Sequence, residues 1–224
     1  MAYILGFIFA DGCLVEYKNG YYGLDITSKD LKHLRQIKRQ LKSGHKIGKK
    51  ERGYRIQIRN GGIYDDLLRL GLIPRKSKTV QFPRVPKEYS SHFIRGLFDG
   101  DGSVMVWKEP RWKHAWQIRT SFTSGSKSFL EGLRGYLESS AGLLGGKISS
   151  VTRGYHLRYL SIPECIALYK FMYCSGVKFY LKRKKDKFRL FLSSKSKEIK
   201  NQVLFGLTLI FYIITSFQAL GALF

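Results

Sequence analysis

Two stretches of the chain repeat one another at a constant offset of 90 residues. Ile4-Leu5-Gly6-Phe7-Ile8-Phe9-Ala10-Asp11-Gly12 is echoed by Ile94-Arg95-Gly96-Leu97-Phe98-Asp99-Gly100-Asp101-Gly102. Each predicts an apolar helix that closes on an acid followed by glycine. In each copy small residues stand four positions apart, Gly6 with Ala10 and Gly96 with Gly100, and so share a helix face. A face without bulky side chains lets two helices approach closer than the usual ~8–10 Å. Paired this way, the helices would deliver Asp11 and Asp101 together at one end. That requirement forces the two halves of the chain to meet along these helices as a pseudo-two-fold monomer.

The remaining pattern repeats as well. After the first helix, Cys13–Tyr17 and Tyr21–Ile26 predict a hairpin around Lys18-Asn19-Gly20. Thr27 or Ser28 is then expected to cap a helix running to about Leu41, with Leu31, Leu34, Ile37 and Leu41 at helical spacing. A second hairpin follows over 46–50 and 54–59. Within it Tyr54, Ile56 and Ile58 alternate with Arg55, Gln57 and Arg59. A solvent face of Arg-Gln-Arg offers side chains that pair bidentately with guanine and adenine edges in a major groove. A short helix over 63–70, a basic loop over 72–79 with Lys76 and Lys78, and the proline-punctuated linker over 82–86 complete the first half.

In the second half, strands over 103–108 and 115–122 flank a basic, aromatic turn carrying Arg111 and Lys113. Gln117, Arg119 and Ser121 share one strand face. Ser124 or Ser126 is expected to cap a helix containing Phe129, Leu130, Leu133 and Leu137. The next hairpin, over 147–151 and 155–160, turns at Arg153-Gly154 and sets His156 and Arg158 opposite Tyr155, Leu157 and Tyr159. A helix over 162–174 leads to a basic loop containing Lys182, Lys184 and Lys185. The fold class is therefore α+β: two pseudo-symmetric repeats of helix–hairpin–helix–hairpin–helix, forming a saddle of antiparallel sheets joined by two packed helices. The repeats are expected over 1–82 and 92–192, with a linker at 83–91 and a tail at 193–224.

The charge balance narrows the partner. Forty Lys and Arg against 16 Asp and Glu give a net charge of +24, which attracts polyanions, nucleic acid first and an anionic membrane second. Three cysteines form no C-x-x-C pair, which argues against a disulfide framework or a zinc site and fits a reducing compartment. Five scattered histidines show no metal-ligand spacing. Met1 runs straight into the first motif helix with no signal-peptide pattern, so the expectation is an intracellular protein, an organelle being compatible with it.

The repeated helices resemble the LAGLIDADG motif of the homing endonucleases in their two-motif, single-chain form, over roughly residues 1–192. The first copy departs from the second in having Phe9 where the second has Asp99. The resemblance implies a site-specific nuclease whose sheets lie over the major groove of double-stranded DNA. It implies metal binding by Asp11 and Asp101, one for each strand, with the carbonyls of Ala10 and Gly100 as further ligands. Two or more Mg²⁺ ions are expected, with Mn²⁺ able to substitute; such ions suit phosphodiester hydrolysis because they activate water and neutralise phosphate. The resemblance also places a catalytic lysine near each centre, Lys76 and Lys184, expected to polarise the attacking water or stabilise transition-state charge. Lys78, Lys182 and Lys185 are read as phosphate contacts, and Asp99 as structural. The alternative on the same scaffold is a maturase that binds its own intron RNA. A DNA-binding regulator ranks below both. No intein splicing block is visible, so a free-standing or intron-encoded monomer is expected.

Residues 203–224 contain no charge and are long enough to span a bilayer. A membrane anchor, a buried helix and adjoining exon sequence stay open for this segment, with the last preferred because a nuclease that must reach DNA gains little from an anchor.

Overall fold

The computed structural model describes residues 1–17, 20–112, 115–174 and 176–200. The apolar segment 203–224 and the turn residue Lys113 therefore lie outside the described residues. Among those described, no helix is long and apolar enough to cross a membrane.

The first half runs α1 (Ala2–Asp11), β1 (Gly12–Glu16), β2 (Tyr22–Ser28), α2 (Leu31–Gln40), β3 (Ile47–Lys50), β4 (Gly53–Arg59) and α3 (Gly61–Arg69), then a 3-10 turn at Lys76–Lys78. The second half repeats this order as α4 (Ser90–Asp101), β5 (Gly102–Glu109), β6 (Ala115–Ser124), α5 (Lys127–Ala141), β7 (Lys147–Val151), β8 (Gly154–Tyr159) and α6 (Ile162–Met172). A last helix, α7, covers 182–200. Each half holds one antiparallel four-stranded sheet, ordered β1-β2-β4-β3 and β5-β6-β8-β7.

Alternation along the strands sets which face is buried. Leu24, Ile26, Ile56 and Ile58 point to one side of the first sheet and are at most 2% exposed; Leu34 and Ile37 of α2 cover them. In the second sheet Ile118, Phe122, Leu157 and Tyr159 are covered in the same way by α5 and α6. The opposite faces carry the polar residues: Arg55, Gln57 and Arg59 in one half, and Gln117, Arg119, His156 and Arg158 in the other.

α1 is apolar on every side and is buried along most of its length, as such a helix must be. It packs on α4 with almost no gap. A Cβ added to Gly96 would lie 2.8 Å from the Tyr3 carbonyl carbon and 2.9 Å from the Phe7 nitrogen. One added to Gly6 would lie 2.9 Å from the Leu97 nitrogen. Both obstacles are backbone, so only glycine fits at these two positions. Ala10 faces Gly100 further along the same seam.

Two local expectations are corrected. The cap of α2 is Asp30, whose carboxylate accepts the His33 N–H at 3.1 Å; Thr27 and Ser28 remain in β2, because their backbones pair with Arg55 and Tyr54. The basic stretch after Leu181 is helix rather than loop. Leu181, Phe188 and Phe191 recur at helical spacing and are at most 3% exposed, so burial of that stripe outweighs the charge on the others.

Candidate active site at the end of the helix pair

Both seam helices end at the same place for the same local reason. Gly12 and Gly102 leave the helix with extended backbone and open β1 and β5, so each chain turns at once into its sheet. Asp11 and Asp101 are the last helical residues and stand where the two sheets meet the helix pair. Asp11 is partly exposed and Asp101 exposed, and among the described residues neither carboxylate makes an ion pair or accepts a side-chain hydrogen bond.

Beneath each acid lies a lysine. Lys76 Nζ donates to the carbonyls of Ile8 (3.2 Å), Phe9 and Ala10 (2.8 Å). Lys184 Nζ donates to those of Phe98 (2.6 Å), Asp99 (2.7 Å) and Gly100 (3.0 Å). The two sets of carbonyls keep the same 90-residue offset as the motifs. A helix C-terminus carries unsatisfied carbonyls and partial negative charge, and each ammonium answers both. The lysines are 8% and 5% exposed.

The electrostatics follow from two acids and two lysines brought together at the helix ends. Burial, and next the repulsion of Asp101, push Asp11 up to about 7. Burial raises Asp101 too, against the pull of Lys76 and Lys184, even though its side chain keeps contact with solvent. Burial lowers both lysines to about 8, the nearby acids opposing the change.

Comparisons with known proteins bear on the second repeat and on the fold. Residues 88–162 match the family model described as a LAGLIDADG-like domain. The whole two-repeat architecture is similar to that of the meganuclease I-SmaMI bound to uncleaveable DNA, with a TM-score of 0.63 at 15% identity over 88% of this chain and 90% of that one. The meganuclease I-AabMI bound to uncleaved DNA gives 0.63 at 15% identity over 89% and 91%. I-DmoI in complex with DNA and Ca gives 0.55 at 18% over 78% and 89%. At these identities the likeness is one of fold. A probable translation initiation factor IF-2 of Thermococcus kodakarensis is 31% identical over 143 residues, which are 58% of this chain and 11% of that protein. Its counterpart in Methanocaldococcus jannaschii is 29% identical over 145 residues, with the same shares. The match thus spans about a ninth of those curated relatives' length.

The donors at the ends of α1 and α4 are all oxygen: two carboxylates and the carbonyls of Ala10 and Gly100. Each carbonyl already accepts one ammonium N–H, which leaves one lone pair free. Among the described residues no cluster of three or more His, Cys, Asp or Glu could hold a metal. Two carboxylates with neighbouring carbonyls fit a hard divalent cation that keeps several of its waters, and they fit a zinc cage poorly.

The predicted nucleic-acid residues do not share one setting. Gln57, Arg59, Gln117, Arg119, His156 and Arg158 share the polar sheet faces, and Arg153 tips the β7–β8 turn. Arg55 is on that face but is ion-paired with the buried Asp25, which also accepts the Tyr17 hydroxyl at 2.8 Å. Arg111 is exposed and paired with Glu109 at 2.8 Å. Lys78 and Lys182 are exposed, Lys182 bonding Asp186 at 2.7 Å. Lys185 departs from its expected role as a phosphate contact. It is 9% exposed with its ammonium 4.0 Å from the Tyr180 ring centroid, so aromatic faces hold its charge.

Reading the residues alone missed two features. Met105 and Trp107 stand exposed on the polar face of β5, with Arg119 against both; the alternation of β5 carries that signal. The second feature is a buried polar cluster of Tyr3, His33, Arg95 and Asp99 between the halves. Its members come from three different helices, α1, α2 and α4, so no local pattern marks it.

Proposed function

We propose that the chain is a site-specific double-strand DNA endonuclease that depends on a divalent metal, Mg²⁺ above others, and is encoded within an intron. The observation that carries this reading is the pair Asp11 and Asp101, set at the ends of two abutting helices, with a lysine under each. The carboxylates would hold the cations between the sheets. When bound, such ions supply water activation and charge neutralisation at phosphate. Lys76 and Lys184 offset the negative ends of two helices that would otherwise repel the DNA backbone. The polar sheet faces on either side supply Arg, Gln and His for base edges and phosphates. A likeness in fold to DNA-bound meganucleases supports duplex DNA as the substrate. Retention of both acids favours strand cleavage over a role confined to folding intron RNA.

The test is incubation with a duplex spanning the uninterrupted insertion site, with and without Mg²⁺. Wild type cuts both strands, while Asp101→Asn binds without cutting. Cleavage that survives Asp101→Asn, or that proceeds unchanged in a chelator, overturns the assignment.

A further inference from the structure

The saddle does not account for all of the basic surface. From the start of α2 to the end of β3, residues 31–50 hold eight Lys and Arg and no Asp or Glu. The corresponding run in the second half, 127–151, holds three Lys and Arg with two Glu. There the glutamates answer helix cations four residues away: Lys127 pairs with Glu131 at 3.1 Å and Arg134 with Glu138 at 3.6 Å. On α2 no cation forms an ion pair among the described residues.

The outer face of α2 is a continuous basic stripe. Lys32, Arg35 and Arg39 are exposed and follow the i, i+3, i+7 spacing of one helix face, with Lys38 beside them. From Lys32 to Arg39 the helix rises ~10 Å at 1.5 Å per residue. His33, Leu34 and Ile37 form the buried side, set against the apolar face of the first sheet. Arg55, Gln57 and Arg59 point away from the other side of that sheet. The stripe and the saddle therefore look in opposite directions, and a duplex in the saddle leaves α2 free.

Helix stability does not explain the stripe. Lys32–Arg35, Arg35–Lys38 and Arg35–Arg39 are like-charge pairs at repelling spacings. Lys38 and Arg39 gain from the negative end of the helix, whereas Lys32 sits in the first turn at the positive end. No large apolar side chain is exposed on the helix, which disfavours a protein partner. The ligand chemistry that suits closely spaced, unpaired cations on a rigid rod is a run of phosphodiesters.

We propose that the outer face of α2 is a second nucleic-acid site, which holds the backbone of a strand other than the one in the saddle. The occupant is a second segment of duplex DNA, the polyanion already assigned to the saddle under the proposed function on which this inference rests; a folded RNA is an alternative outcome of the test. The full chain is saturated with a short target duplex without divalent cation. A labelled RNA hairpin is then titrated in one arm and an unrelated labelled DNA duplex in the other. The preloaded complex is expected to bind the DNA probe, whereas binding of the RNA hairpin alone overturns the assignment. The triple variant Lys32→Glu, Arg35→Glu, Arg39→Glu should weaken DNA-probe binding about tenfold or more and reduce its salt slope by about 2–3. Its target cleavage should stay within about twofold of wild type, and Lys127→Glu with Arg134→Glu should leave probe binding unchanged. Should the chain cut no DNA, the probe affinities of the triple variant still decide. The proposal is overturned if probe and target displace one another one for one, or if the triple variant binds the DNA probe as wild type does.

Discussion

The Asp99 carboxylate accepts the backbone N–H of Leu181 at 2.6 Å. Leu181 opens the helix that carries Lys184, its own carbonyl accepting the Lys184 N–H at 3.0 Å. Tyr3, from the other half, donates its hydroxyl to the same carboxylate oxygen at 2.6 Å. Asp99 thus ties α1, α4 and α7 at one buried point. The first half has no such tie: Phe9 occupies the matching position and packs on Phe93 and Phe129, while Arg75, just before Lys76, adopts a left-handed backbone with φ of 53°.

That asymmetry predicts a strand bias. Asp99→Ala leaves the buried Leu181 N–H without its acceptor, at a cost of about 1–3 kcal/mol, and leaves the Tyr3 hydroxyl only His33 Nε2 as a partner. It also frees the start of the helix under Lys184. Plasmid cleavage should then stall at a nicked circle, on the same strand that Lys184→Met spares. Asp99→Asn keeps an accepting oxygen and should restore most double-strand cutting. Equal slowing of both strands would argue for a purely global role.

The helix seam predicts opposite outcomes for two glycines. Gly96→Ala drives a methyl into the backbone of Tyr3 and Phe7. It should cost about 2–4 kcal/mol and separate the paired acids, seen as a fall in the urea midpoint together with lost cleavage. Gly135 lies mid-helix and exposed in α5, with nothing within 4 Å of an added Cβ. Gly135→Ala should stabilise the protein by about 0.5–1 kcal/mol without altering cleavage.

The acids predict how stability depends on metal. Asp11 lies near 7 in the fold against an ordinary value of 3.8. Between those values the folded state binds the extra proton, so metal-free stability falls as pH rises through this window. Asp11→Asn should remove that fall in chelator, measured as Tm against pH. Mg²⁺ should raise the Tm of wild type more at pH 8 than at pH 6, because cation and proton compete for the same oxygens. It should raise that of Asp11→Asn less.

His33 predicts the opposite slope. It is 3% exposed, and burial lowers it from 6.5 to about 4. Between pH 6.5 and 4 the unfolded chain takes up a proton that the fold refuses, so this group costs stability as pH falls. The full effect is about 3 kcal/mol at most. His33→Gln should lose this acid-side fall, seen in the difference between its urea midpoints and those of wild type from pH 7 to 4.5.

The amino-acid sequence by itself determined the two-fold repeat, the strand alternation and the meeting of Asp11 with Asp101. Those rest on periodicity and on small residues at fixed spacing, which act locally and can be read locally. Helix caps were less legible, since Thr27, Ser28 and Asp30 all suit a cap and only strand pairing with β4 excludes the first two. Tertiary structure alone decided that Lys76 and Lys184 bind helix-end carbonyls, that Lys185 turns onto Tyr180, and that Asp25 engages Arg55. It also decided that Asp99 joins Tyr3 to Leu181, residues 96 and 82 positions away from it. A lysine reads the same in sequence whether it reaches phosphate or caps a helix; the difference lies in how much water its neighbours exclude, and those neighbours come from distant parts of the chain.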